Sequence, residues 1–287
     1  MLSEIYTRKI KAIAGNGTTS LKIRPSEGKR VHGMQLQLIV TLGTDTLAAL
    51  CAALTIRVLV GTTEKWKLTG TKLRDFCLLR GTTYDFDGTP STGCQITLPF
   101  APEWFLDNVA DALAWNPRRL GDAITVEVDC SAAMNATVFE RISDDLDAPS
   151  AGILTLEVIN PIAGGTNFVV DDEIDVKGRL LQASIYPDST NNREITPVSV
   201  FLGTDDVVAI DDVTSAQNDE ALARFGMTPA PTGRTANIFD AVFVKSDALV
   251  RGIDIASWGR IKIKVGAAAA MSGTCDILLV RLEQNPS

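Results

Sequence analysis

The sequence predicts an all-β protein made of two tandem copies of one domain. Short alternating or β-branched runs, bounded by Gly, Pro, Asn and Asp, recur along the chain and are typical of strands. A length of 287 residues with 45% hydrophobic content is enough for two buried cores. The phrase ITVEVDCSAAMNAT at 124–137 returns without a gap as IKIKVGAAAAMSGT at 261–274, identical at six of fourteen positions.

Strand patterns divide evenly between the two halves, with seven in each. This number fits two β-sandwiches or barrels of ordinary size. In chain order the predicted strands are 19–23, 31–40, 54–60, 72–79, 94–100, 123–130, 136–142, 152–159, 166–170, 179–186, 197–203, 237–244, 260–265 and 275–282.

Two segments show helical spacing, one in each half. PEWFLDNVADALAW, 102–115, opens with a proline suited to a first turn and repeats its apolar residues at helical spacing. SDALVRGIDI, 246–255, offers a serine as N-cap. Each precedes one copy of the repeated phrase, and a tryptophan lies close to the end of each, Trp115 in the first half and Trp258 in the second. The sequence therefore predicts one helix at the same place in each half.

Further repeated phrases extend the similarity over most of the chain. IAGNGT near residue 13 is answered by IAGGT near 162, and VLVGT near 58 by VFLGT near 200. The period of about 140 residues is the size of a domain, whereas solenoid units are far shorter. Acid, proline and glycine cluster at 143–152, which predicts a junction there. We therefore predict a first domain at 1–148 and a second at 149–287.

Charge is distributed unevenly. The net charge of −8 argues against a general nucleic-acid binder. Residues 1–30 nevertheless hold seven basic and two acidic side chains. Arg8, Lys9 and Lys11 are therefore candidate residues of a basic arm that faces an anionic membrane or a genome. The alternative is an ordinary solvated terminus.

The cysteines indicate a reducing compartment. Their number is five, none forms a C-x-x-C pair, and most have apolar neighbours, so we expect buried thiols. The first 20 residues lack an apolar leader, and the most apolar run, of 11 residues, is too short to span a bilayer. These features predict a soluble protein made in a cytoplasm.

Catalytic constellations are missing from the sequence, so we predict that the protein is not an enzyme. A Ser-His-Asp or Cys-His mechanism would depend on His32 alone. Acidic runs could bind Ca²⁺, with Asp171, Glu173 and Asp175 as the candidates, but the glycine that follows does not fit an EF-hand. Solvated loop charge is the favoured interpretation, and apart from possible Ca²⁺ no cofactor is predicted.

The order of elements resembles that of the double jelly-roll major capsid proteins of icosahedral, membrane-containing viruses. In each half, strands lead to QITLPF or NIFDAVFV, then a helix, then ITVEV or IKIKV. Leu54 to Phe76 is also similar to part of the corticovirus-type coat protein. The resemblance implies two eight-stranded jelly rolls, each with a short helix between strands F and G.

The same resemblance implies a role as major capsid protein. A homotrimer would form a pseudo-hexameric capsomer of a shell around an internal lipid membrane, with the N-terminus inward. Its partners would be neighbouring capsomers, penton or spike proteins, minor capsid proteins and the membrane, without sequence-specific nucleic-acid binding. The expected location is the virion, and the host cytoplasm during assembly.

Two other functions fit a chain of β domains. A carbohydrate- or receptor-binding β-sandwich, such as a spike or lectin-like protein, predicts an exposed aromatic platform. A jelly-roll glycoside hydrolase predicts two carboxylates that converge in a groove.

Overall fold

The structure is a computed structural model, and it describes residues 5–26, 28–81, 86–102, 112–148, 150–160, 165–171, 178–187, 194–229, 231–243 and 253–283. The chain divides into two compact units. Among the described residues, unit 1 comprises those up to Leu154, and unit 2 is Thr155–Glu283.

The described residues form sixteen strands and five helices. The strands are β1 (Tyr6–Ile23), β2 (Arg30–Val40), β3 (Leu54–Val60), β4 (Thr63–Thr69), β5 (Phe86–Thr89), β6 (Gly93–Leu98), β7 (Ile124–Ser143), β8 (Ile153–Ile159), β9 (Gly165–Asp171), β10 (Arg179–Ile185), β11 (Ile195–Leu202), β12 (Val207–Val213), β13 (Phe239–Val242), β14 (Ile253–Asp254), β15 (Ile261–Met271) and β16 (Ile277–Glu283). The helices are α1 (Leu47–Ala53), α2 (Gly70–Leu79), α3 (Pro117–Leu120), α4 (Ser215–Arg224) and α5 (Ile255–Trp258).

In unit 1 the long strand β7 takes part in two sets of pairings. Its first part, 124–130, pairs with β3, and its last part, 134–143, pairs with β2. β1 runs antiparallel along both parts. One set of strands is therefore β4-β3-β7 and the other is β5-β6-β2-β7, with β1 beside β7 in both. Buried residues alternate with less buried ones along both parts of β7.

Unit 2 repeats this arrangement, but two separate strands, β15 and β16, take the places of the two parts of β7. One sheet has the order β12-β11-β15-β9, and in the other β10 lies between β13 and β16, with β14 also pairing with β10. Alternate residues of these strands form a buried core that includes Val200, Ile263 and Leu279. Each such side chain contributes about 1.5–3 kcal/mol relative to an exposed one.

The repeated phrase lies at the same irregularity of pairing in both units. In unit 1, Met134 pairs with Thr18 of β1, but the next pair joins Asp129 to Ser20. Residues 130–133 of β7 therefore lie opposite a single residue of β1. The sequence predicted strands that end at residue 130 in the first copy and 265 in the second, and both ends are wrong. β7 continues through the small residues as an irregular bulge, and β15 continues to Met271.

Unit 2 has a bulge of the same width. Met271 pairs with Gly165 and Gly266 pairs with Asn167, so residues 267–270 lie opposite one residue of β9. The two methionines that match in sequence thus close the same four-residue bulge. This shared irregularity supports the predicted duplication independently of the sequence phrase.

A second repeated feature was not predicted. Residues 72–79, predicted as a strand, form most of helix α2, which follows the unpredicted strand β4 directly. The Thr69 side chain accepts a hydrogen bond from the Lys72 amide and caps the helix. Helix α4 in unit 2 also has ten residues, follows β12, and is capped by Thr214 in a capping box with Gln217.

The two helices that the sequence did predict fall largely outside the described residues. The structure describes 102 and 112–115 of the first, and 253–255 of the second. The jelly-roll helix between strands F and G therefore stays a prediction in both halves. Trp115 is described, and it exchanges two backbone hydrogen bonds with Val31.

The prediction of buried thiols is confirmed, since all five cysteines are free and buried. Burial raises the pKa of Cys51 to about 12 and that of Cys94 to about 11. The thiolate is the reactive form of cysteine, and at pH 8 Cys51 and Cys94 stay protonated. Because the other cysteines are buried as well, we expect no thiol labelling of the folded protein at this pH. Mass spectrometry after iodoacetamide treatment tests this, with urea-unfolded protein as the control. Stoichiometric labelling of native protein would contradict it.

Candidate functional site

The predicted basic residues lie on the paired strand β1 rather than on an unpaired arm. Arg8 donates from Nε and Nη2 to Oε1 of Glu140, at 2.9 and 2.7 Å. Glu140 is fully buried and also accepts hydrogen bonds from the backbone amide and the hydroxyl of Ser26. Arg8 therefore fixes β1 to β7, which is a structural role.

A second ion pair holds the start of β1. Lys29 bonds to Asp144, and the Tyr6 hydroxyl donates to the same carboxylate at 3.2 Å. The hydrogen bond from Lys29 lowers the pKa of Asp144, and the bond to Asp144 raises the pKa of Lys29. The Asp144 contribution is therefore present at neutral pH and is lost as the pH falls through its lowered pKa. Because Asp144 is exposed and Lys29 is only partly buried, this contribution is small.

Lys9 and Lys11 remain exposed on β1. Lys11 donates to the Lys22 carbonyl at 3.2 Å. β1 is also unusually exposed for a strand, because successive residues from Ile5 to Lys9 are all exposed. Ile5 and Tyr6 are large apolar side chains at 42% and 37% exposure. Among the described residues β1 pairs with β7 alone, so its other edge is open.

The calcium candidates are not brought together by the described residues. Asp171 is the last residue of β9, and Glu173 and Asp175 lie outside the described residues. Over the described part of the chain there is no group of three His, Cys, Asp or Glu side chains that could bind a metal ion.

The favoured interpretation of the acidic runs was solvated loop charge, and for the run 205–212 this is wrong in its second half. Asp205 and Asp206 do lie in an exposed turn, and Asp206 bonds to Lys262 at 3.1 Å. The chain then forms strand β12, where Asp212 has a positive φ of 43° and bonds to the Ser199 hydroxyl at 3.0 Å. Alternating apolar residues inside an acidic run were the missed signal.

β12 presents an exposed edge that combines apolar and acidic side chains. It is the end strand of its sheet and pairs with β11 alone in the described residues. Val207 and Val208 are 44% and 52% exposed, and Asp211 is also exposed. We call Val207, Val208 and Asp211 the β12 edge. Exposed apolar residues on the edge strand of a sheet are typical of protein–protein contacts.

His32 has the core role that is usual for a buried histidine. It lies on β2, and its Nε2 is 2.9 Å from the Ser143 hydroxyl. Its backbone carbonyl accepts from the Ala101 amide at 2.8 Å.

A groove of about 610 Å³ lies in unit 1, between β1, β2, β5, β6 and β7. Its polar lining includes Gln37, Gln95 and Asn135, and Oδ1 of Asn135 is buried without a protein partner. The described residues that line it include one carboxylate, Asp87, and no aromatic side chain. They thus provide neither the two carboxylates of a glycoside hydrolase nor the aromatic platform of a lectin.

No known family matches the sequence, and no curated protein matches it either. Solved structures do match. The major capsid protein P2 of bacteriophage PM2 has a TM-score of 0.75 and 12% identity, over 98% of this chain and 97% of that one. The major capsid protein of Sulfolobus Turreted Icosahedral Virus has 0.64 and 14%, over 99% and 97%. The PBCV-1 virus capsid has 0.64 and 8%, over 98% and 94%.

The fold is therefore the all-β double jelly roll of viral major capsid proteins, as the resemblance in sequence implied.

Proposed function

We propose that this chain is a major capsid protein, a structural subunit that assembles into homotrimeric, pseudo-hexameric capsomers of an icosahedral shell around an internal membrane. The observation that carries the proposal is the match to viral capsid proteins across nearly the whole of both chains. A partial match would have allowed a shared module with another role, whereas here both units are matched together.

The duplicated fold supports the trimer on geometric grounds. A closed shell is tiled mainly by units with six neighbours. Three copies of a chain with two similar jelly rolls present six similar domains, so a ring with threefold symmetry approximates a hexagon. The four-residue bulge shared by β7 and β15 shows how closely the two units resemble each other.

The exposed lysines of β1 support a contact with an anionic surface. Lys9 and Lys11 are exposed, whereas Arg8 is engaged with Glu140. Each such lysine near an anionic membrane contributes about 1 kcal/mol of attraction. In the proposed shell the inner side of the capsomers faces the internal lipid or the genome, without sequence-specific binding, and the outer partners are neighbouring capsomers, penton or spike proteins and minor capsid proteins.

A structural role also fits the chemistry of the described residues. His32 is committed to a core hydrogen bond, and the unit 1 groove holds a single carboxylate among its described lining residues. We therefore propose that the protein is not an enzyme and that it functions in the virion after assembly in the host cytoplasm. A receptor- or carbohydrate-binding β-sandwich remains the competing function.

Size and shape of the purified protein test the proposal. We expect light scattering after gel filtration to give three times the chain mass of 30.7 kDa, and electron microscopy to show hexagonal tiles. A lectin-like module would instead run as a monomer or small oligomer without hexagonal outline. A stable monomer at all concentrations would contradict the capsomer.

A further inference from the structure

Corresponding strands of the two units can be matched through the long strands and the capped helices. β1 and β9 share the bulge, and the first part of β1 pairs with the second part of β7. β16 corresponds to the second part of β7. Because β8 neighbours β16, β8 corresponds to the first part of β1. β4 and β12 correspond because each pairs with the preceding strand and leads directly into a ten-residue helix capped by threonine.

In unit 1 the strand β4 contacts the first residues of β8. The Trp66 indole donates to the Leu154 carbonyl at 2.8 Å, and both residues are fully buried. Trp66 lies four positions before the first residue of α2, and Asp211 lies four positions before the first residue of α4. Leu154 is the second residue of β8, and Thr7 is the second residue of β1.

The counterparts of this contact are both exposed. Asp211 and its neighbours Val207 and Val208 form the β12 edge, and Thr7 lies in the exposed first part of β1. Ile5 and Tyr6 add apolar surface beside Thr7. Trp66 and Leu154 are thus buried where β4 meets β8, whereas Asp211 and Thr7 are exposed on β12 and β1, each of which has an open edge in the described residues.

The charges on the two exposed strands are complementary. The β12 edge carries Asp211, with Asp205 in the turn before it, whereas β1 carries Lys9 and Lys11. A ring of identical chains needs two different surfaces that fit each other, because each contact is head to tail. Two strands with exposed apolar residues and opposite charges provide such a pair of surfaces. A contact of β1 with a second β1 is disfavoured, because it would bring lysines together.

From these observations we infer that the β12 edge of one copy packs against the first part of β1 of a second copy, in the way that β4 packs against the start of β8. The inference rests on the proposed homotrimer, and it names the surface through which the trimer forms. It brings Asp211 of one chain beside Thr7 and Lys9 of the next.

Charge reversal tests the contact. We expect Asp205→Lys with Asp211→Lys, and separately Lys9→Glu with Lys11→Glu, each to weaken trimer association by roughly tenfold or more at 150 mM salt, because every interface then carries like charges. Combining all four changes in one chain restores attraction across every interface, so association should recover. Sedimentation equilibrium measures these constants.

Matched reversals at exposed positions off both strands serve as controls. Asp87→Lys lies on β5, and Lys264→Glu lies on β15, within the sheet that β12 ends. We expect both to leave association unchanged within about twofold. A trimer that none of the β1 or β12 reversals weakens, or a quadruple variant weaker than both double variants, would overturn the proposed surface while leaving the capsomer intact. A wild-type monomer would overturn the capsomer itself, and this surface with it.

Cross-linking gives a readout that does not depend on the strength of association. We expect Thr7→Cys with Asp211→Cys, treated with a short bismaleimide cross-linker, to form covalent dimers and trimers on denaturing gels. Each single variant should form neither through this pair, and the native cysteines are buried. A cross-link closed within one chain, or the absence of any cross-link in a preparation that is trimeric, would overturn the inference. A variant that fails to fold is recognised by circular dichroism, and the charge reversals then decide.

Discussion

Arg234→Met is expected to destabilise unit 2 by about 3–5 kcal/mol, because it leaves a buried carboxylate without its ion pair. Nη2 of Arg234 lies 2.6 Å from Oδ2 of Asp240, and both side chains are almost fully buried. Asp240 also accepts from the Ser184 hydroxyl at 2.6 Å. The Gln182 side-chain amide also donates to Asp240, at 3.4 Å. These two neutral donors cannot compensate the charge, so the substitution removes the cation while the cost of burying the carboxylate remains.

Differential scanning calorimetry of the purified protein measures this loss, together with hydrogen exchange of β10 and β13, which hold the network. Arg224→Met is the matched control, since Arg224 is paired with Glu220 at the surface and its side chain is 73% exposed. We expect less than about 0.5 kcal/mol there. Equal effects of the two substitutions would show that the buried pair has no special role.

Trp66→Ala is expected to cost unit 1 about 3–5 kcal/mol, because it removes a fully buried indole. The ring is 5.0 Å from that of Phe100 and 6.3 Å from that of Trp115, both in edge-to-face geometry. Such contacts add to the value of the buried area. The resulting cavity lies beside the two remaining rings, Phe100 and Trp115, which cannot collapse onto it easily.

Trp66→Phe separates the hydrogen bond from the packing. Phenylalanine keeps most of the ring but leaves the Leu154 carbonyl without the indole donor, for which we expect about 1–3 kcal/mol. Trp258→Ala is the control, since Trp258 is 42% exposed, and we expect less than about 1 kcal/mol from it. Urea denaturation followed by circular dichroism ranks the three. The prediction is wrong if Trp66→Ala is no more damaging than Trp258→Ala.

The duplication could be predicted from sequence because its physical cause is local. Four small or polar residues followed by methionine form a wide bulge in both units, and the phrase that encodes it survives at 124–137 and 261–274. The strand content could be predicted for a similar reason, since alternation is visible over a few residues.

Helix α2 was predicted wrongly although its signal was present. Leu73, Phe76 and Cys77 are buried at helical spacing, and Thr69 stands at the cap position. Read as alternation, 72–79 also fits a strand, and such short apolar runs are ambiguous. The capping box of Thr214 and Gln217 before α4 was a clearer signal that was overlooked.

The candidate site could be predicted in composition but not in arrangement. The basic stretch is visible in sequence, but its pairing with β7 is not, because Arg8 and its partner Glu140 are 132 positions apart. Likewise the acidic run gives no sign that Val207 and Val208 form an exposed edge, since exposure depends on which strand occupies the next place in the sheet.

The continuity of β7 also has a mechanical consequence. A pull along this strand, which runs unbroken from Ile124 to Ser143, loads its backbone hydrogen bonds to β1, β2 and β3 in shear, so many must break together. In unit 2 the corresponding chain leaves the ladder between Met271 and Ile277, so a pull reaches β15 and β16 one after the other. We expect unit 2 to yield at the lower force when a single chain is stretched between its ends.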